Sequence, residues 1–197
     1  MKKKIECFYS LSSPWAYLAY PRLLDIAARH GAEIALRPIK VVPDNGGILL
    51  RTRPQPRQDY HALELDRWRI FLGMKLNLKP KFYPTENKPA AFMVIAAKQA
   101  DKDALSLTRA FQTALWAEER DIFDLDTRLA ICAEQGFDGA ALHAASLESS
   151  VQAEWDQNWD DAIGLGIFGT PNYVYKDEIF WGQDRLDFLD RRLAEDS

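Results

Sequence analysis

The hydrophobic pattern changes period twice within the first forty residues. Residues 5–9, "IECFY", form an apolar run interrupted only by Glu6, a length that suits one strand. Residues 14–31, "PWAYLAYPRLLDIAARHG", then space their apolar side chains three and four apart, as in a helix with one buried face. Pro14 suits the first helical position, where its missing N–H has no partner to lose, and Gly31 suits a C-terminal cap. Pro21 is expected to kink this helix or divide it. Residues 33–39, "EIALRPI", alternate roughly until Pro38 and predict a second strand. Strand, helix and strand in this order imply a parallel pair joined by a right-handed crossover.

Beyond residue 40 the strand period disappears. Residues 41–57, "VVPDNGGILLRTRPQPR", are rich in Gly, Pro and Arg and predict a loop. From "DYHALELDRWRIFLG" to "SSVQAEWDQNWDDAIGLG" the pattern is mostly helical, with breaks at 79–89, "KPKFYPTENKP", and at 136–139, "GFDG". Strands return at 171–176, "PNYVYK", and at 178–182, "EIFWG", around a turn at Lys176 and Asp177. A last helix is expected from Asp184, with Asp184 as its N-cap and Asp187 at its third position. The order is β-α-β, a helical insert, then β-β-α. It predicts an α/β chain: a thioredoxin-like domain from residues 1–40 and 160–197, with a large all-helical insertion over 41–159.

Composition narrows the partners. A net charge of −4 over 197 residues argues against nucleic acid or an anionic membrane as the main partner. No apolar run approaches the ~18 residues of a membrane span. The basic start, "MKKK", is followed by Glu6 and serines that interrupt any apolar signal core, so a cytoplasmic protein is expected. Cys7 and Cys132 lie far apart, with no C-x-x-C between them, and are expected to be small core residues. His30, His61 and His143 sit in helical patterns without metal-ligand spacing, so no metal is expected.

Four places carry candidate chemistry. Ser12, Ser13 and Pro14 lie where a strand turns into a helix, at the strand end where open α/β sheets gather ligands. A serine there can cap the helix or donate a hydrogen bond to a ligand anion or thiolate. Thr170-Pro171 opens a strand, either as a plain loop proline or as a cis bond. Asp184 can cap a helix or meet a ligand ammonium. Arg51, Arg53 and Arg57, with Lys40 nearby, are either a solvated face or a grip for carboxylates.

"FYSLSSPWAYLA", "FGTP" and "WGQDRL", in that order and at these intervals, resemble the 2-hydroxychromene-2-carboxylate isomerases. These belong with the kappa-class glutathione transferases and the disulfide oxidant DsbA. "RTRPQPRQDYHALELDRW" is similar to isomerases of naphthalene and naphthalenesulfonate breakdown. The resemblance implies glutathione as cofactor and Ser13 as the catalytic serine that holds its sulfur, with Pro14 and Trp15 beside it. It also implies that Thr170, before a cis Pro171, meets the cysteinyl part, Gln183 and Asp184 the γ-glutamyl end, and Arg57 the glycine carboxylate. Two positions depart from the family pattern: Ser10 stands where Asp is frequent, and Thr52 is the nearest match to a loop Asn. Lys40, Trp68, Tyr83 and Asn87 are expected around a flat aromatic carboxylate substrate, and the kappa relatives imply a homodimer. The alternatives are a kappa-like transferase or peroxidase and a glutathione-binding module without turnover. A disulfide oxidoreductase needs a thiolate at the turn, and Ser12-Ser13 offers none.

Overall fold

The computed structural model describes residues 2–196. Strands β1 (Lys4–Tyr9) and β2 (Glu33–Pro38) flank helix α1 (Pro14–His30). Six helices follow: α2 (Gln55–Phe71), α3 (Lys88–Gln99), α4 (Ala104–Ala117), α5 (Leu125–Glu134), α6 (Gly139–Ala145) and α7 (Ser149–Gly164). The chain closes with β3 (Asn172–Tyr175), β4 (Glu178–Trp181) and α8 (Leu186–Ala194). The sheet order is β2-β1-β3-β4; β2 runs parallel to β1, and the other two pairs are antiparallel. This is a thioredoxin-like fold with a mixed sheet and an extensive helical insertion.

The period-two pattern of β1 explains why both faces of the sheet are covered. Ile5, Cys7 and Tyr9 join the main core with residues of α1, α3, α4 and α8, whereas Phe8 points to the other side. There it meets Ile39, Val42 and Val174 of the sheet region together with Ala162 of α7. Arg37 of β2 ties this second layer by donating to Glu6 at 2.7 Å and to Asn158 of α7 at 3.1 Å. The β3–β4 hairpin turns through Lys176 and Asp177, both at positive φ, as a tight two-residue turn requires.

Three local expectations are corrected or narrowed. Of the two outcomes expected at Pro21, division does not occur: α1 runs as one helix from Pro14 to His30. Residues 41–57 are not all loop: two short 3-10 turns lie at Pro43–Asn45 and Leu50–Thr52, and α2 begins at Gln55, with Pro56 in its first turn. The last helix starts at Leu186 rather than Asp184, because Gln183–Arg185 forms a 3-10 turn, and Asp184 does not cap it. Among the described residues, no helix is long and apolar enough to cross a membrane.

Candidate active site

Ser13 ends the turn after β1 and is the N-cap of α1. Its Oγ accepts from the Ala16 N–H at 3.2 Å and donates to the Thr170 carbonyl at 3.2 Å. The residue is 8% exposed, so both bonds form in a nearly sealed site. The Thr170-Pro171 bond is cis, which settles the alternative left open by the sequence. Capping and facing Thr170 are thus two jobs of one hydroxyl.

The turn itself is held from the insertion. Asn87 donates its side-chain amide to Ser10 Oγ at 3.0 Å and also to Ser12 Oγ. Ser10 and Ser12 bond to each other at 3.1 Å. Asn87 precedes α3 but makes no cap for it; its amide is committed to the serines. Sequence reasoning offered Asn87 as a substrate contact and did not find this brace, which links positions 77 residues apart.

The start of α1 opens into a cleft of about 810 Å³. Pro14 has no N–H, Ala16 is capped by Ser13, and the Trp15 N–H has no acceptor among the described residues. It therefore offers a donor at the positive end of the helix. Lys40, Arg51, Arg53 and Arg57 also line the cleft, and none of them is held in an ion pair among the described residues. Lys40 rests over the Trp159 ring at 5.0 Å. Glu64 and Glu86 bring negative charge to the same cleft. The loop carrying the Arg residues approaches Phe168 at Gly47, where any side chain would run into the Phe168 carbonyl.

Of the sequence-predicted residues, Ser13, Pro14, Trp15, Lys40, Arg57, Tyr83, Asn87 and Thr170 are brought together around this cleft. Five others lie outside its lining. Thr52 is exposed and donates its hydroxyl to Leu49 O in its own turn. Trp68 packs edge-on against Phe71. Pro171 is buried behind Thr170. Gln183 is 3% exposed, with Arg22 donating to its backbone and side-chain oxygens. Asp184 is exposed and paired with Arg185 at 2.9 Å.

Sequence reasoning also passed over His61. Trp15 Nε1 donates to His61 Nε2 at 2.9 Å, and the rings meet edge-on at 5.2 Å. Burial holds the imidazole below its ordinary pKa, and the Arg53 charge acts in the same direction. The usable signal was spacing: Arg57, Tyr60, His61 and Glu64 lie at i, i+3, i+4 and i+7, one face of a helix begun at Gln55. Neither cysteine reaches the cleft. Both are buried, burial pushes the Cys7 thiol well up, and the Cys132 thiol is pushed up to about 11.

Comparison with known proteins places this chain in a family. The DSBA-like thioredoxin domain matches residues 4–194. A 2-hydroxychromene-2-carboxylate isomerase of Sphingobium xenophagum is 31% identical, over 99% of this chain and all of that one. The chain belongs to the 2-hydroxychromene-2-carboxylate isomerase family, within the DsbA-like thioredoxin proteins. A second isomerase, from Pseudomonas putida, is 27% identical over 96% of this chain and 94% of its own. A solved 2-hydroxychromene-2-carboxylate isomerase overlays with a TM-score of 0.84 at 22% identity, covering 98% of this chain and 95% of that one. The cytosolic disulfide reductase DsbM from Pseudomonas aeruginosa, in a structure with GSH, gives a TM-score of 0.69 at 21% identity, covering 97% and 99%. Membership of the isomerase family makes the chain an enzyme of the DsbA and isomerase type, with a serine turn at the head of α1.

Proposed function

We propose that the protein is a glutathione-dependent 2-hydroxychromene-2-carboxylate isomerase. It interconverts that compound with trans-o-hydroxybenzylidenepyruvate in the breakdown of naphthalene-type aromatics. The observation that carries the reading is Ser13: a nearly buried hydroxyl at the N-terminus of α1, beside cis Thr170-Pro171, in a turn without cysteine.

The residues present fit an anionic thiol tripeptide. Arg57, with the other unpaired cations of the cleft, suits its carboxylates, and Glu86 suits its ammonium, Glu64 being paired with Arg67. Ser13 and the Trp15 N–H suit its sulfur. When bound, glutathione supplies the thiolate that opens the substrate double bond to rotation and leaves unchanged. Ser13 holds that sulfur as the anion by turning its hydrogen away from Thr170.

Magnitudes show what the turn must contribute. A thiol titrates near ~8.5, so lowering it by ~2 units requires about 2.7 kcal/mol in favour of the anion. Exchanging the neutral Ser13–Thr170 bond, worth about 1 kcal/mol, for a charge-assisted one of ~1.5–3 gains roughly 1 kcal/mol. The helix end adds ~0.3–1 kcal/mol. The Trp15 N–H supplies a second charged bond and closes the difference. Tyr83 and Asn87 flank the substrate, and Lys40 meets its carboxylate.

The same reading carries a cytoplasmic homodimer. The support for the dimer is exposed apolar surface on α2, where Leu63 and Ile70, seven residues apart on one face, are 46% and 65% exposed. Sedimentation at rising concentration tests it, a monomer throughout being the contrary result. The activity is tested by following the ultraviolet absorbance of the substrate with and without glutathione. Turnover is expected only with glutathione; equal rates in both would overturn the reading.

A further inference from the structure

Trp15 Nε1 is a donor and nothing else, so the 2.9 Å contact fixes the roles: His61 Nε2 must accept. A neutral imidazole that accepts at Nε2 carries its hydrogen on Nδ1. His61 lines the cleft, and its Nδ1 has no partner among the described residues. The ring is therefore held in one tautomer, and this cleft-lining residue beside the first turn of α1 keeps one donor without a partner among the described residues. It cannot act as a base there, because its acceptor nitrogen is taken.

We propose that His61 is a catalytic residue: its Nδ1–H donates to the substrate oxygen that gains negative charge during isomerisation. This rests on the isomerase reading above. A donor held in place before charge develops costs no reorganisation when it does, and its bond strengthens as the charge grows. Burial and the neighbouring Arg53 favour the neutral ring, whose Nδ1–H stabilises the oxygen as a hydrogen-bond donor. The competing role is structural, with His61 serving only as acceptor for Trp15.

Two substitutions separate the roles, because Asn reaches only as far as Nδ1 and Gln as far as Nε2. His61→Asn keeps a donor at Nδ1 and gives up the Trp15 acceptor; His61→Gln does the reverse. Expected is a kcat lowered on the order of 10- to 100-fold in His61→Gln, with the KM for glutathione unmoved, while His61→Asn retains most of it. The reverse order, equal losses, equal retention, or a change confined to the KM for glutathione would overturn the assignment. Imidazole nitrogen NMR of the wild-type protein gives a readout independent of turnover. The Nδ1 proton is expected to move downfield on adding trans-o-hydroxybenzylidenepyruvate; hydrogen on Nε2, or an unmoved Nδ1, would overturn the role. If wild type has no glutathione-dependent turnover, the isomerase reading fails, and the NMR result still decides whether His61 donates to an anionic aromatic ligand.

Discussion

At the floor of the cleft, Ser13 is 8% exposed and its hydroxyl has a partner for both donation and acceptance. On the facing wall, α2 is a 17-residue helix whose only buried residue is Leu65, and its Arg57 has no ion pair among the described residues. The floor is held by hydrogen bonds from α1, Thr170 and Asn87, so its geometry exists before any ligand arrives. The wall is tied to the floor at one point, where Trp15 donates to His61, and otherwise presents Arg57 and the loop cations on long side chains without an ion pair among the described residues. A fixed floor suits the reacting atoms, where small displacements cost rate. The wall's unpaired cations suit recognition, where Coulomb attraction tolerates imprecision and is screened by salt, while His61 of the same helix, fixed by Trp15, belongs with the floor.

If floor and wall divide the work in this way, their substitutions fail differently. Ser13→Ala is expected to have the largest effect, lowering kcat on the order of 100-fold. Loss of the N-cap bond would cost about 1 kcal/mol of stability, visible in thermal unfolding. A Ser13→Ala enzyme with wild-type turnover would reduce the serine to a cap. Arg57→Ala should instead raise the KM for glutathione about tenfold, as for an anion contact of ~1.4 kcal/mol, and leave kcat nearly unchanged. Its effect should shrink as salt is added; a fall in kcat at constant KM would erase the distinction between floor and wall. Asn87→Ala removes the brace under Ser10 and Ser12 and should destabilise the protein by ~1–3 kcal/mol, with a smaller loss of kcat than Ser13→Ala. The smallest effect belongs to the thiols. Cys7→Ala should leave turnover intact, and iodoacetamide near neutral pH should label neither cysteine until the protein is unfolded. Burial raises both thiols, Cys132 to about 11, so each stays protonated below that pH.

The same division explains what was legible in the sequence. Elements with a clean period, β1, α1 and the β3–β4 hairpin, follow from side-chain spacing and turn residues. The serine turn was legible because strand, Ser-Ser-Pro and helix are contiguous. The brace from Asn87 and the seat of Thr170 against Ser13 were not, since each joins positions 75 or more residues apart through the folded sheet. His61 was missed for a local reason: with residues 41–57 taken as loop, Arg57 lay outside the helix whose face it shares with His61. Gln183 is a ligand contact only by the resemblance; what its neighbours in sequence do not show is that Arg22, 161 residues away, donates to both of its oxygens.

The central claim is that Ser13 and the head of α1 receive a thiolate that the chain itself lacks. The most direct measurement is the pKa of glutathione's thiol in the complex, followed by thiolate ultraviolet absorbance in wild type and in Ser13→Ala. Wild type is predicted to hold it ~2 units below the free value, and Ser13→Ala to return it upward by ~0.7 unit, the roughly 1 kcal/mol gained when Ser13 exchanges its Thr170 bond for the thiolate. A bound thiol that titrates like the free one, or a shift untouched by Ser13→Ala, would contradict the account.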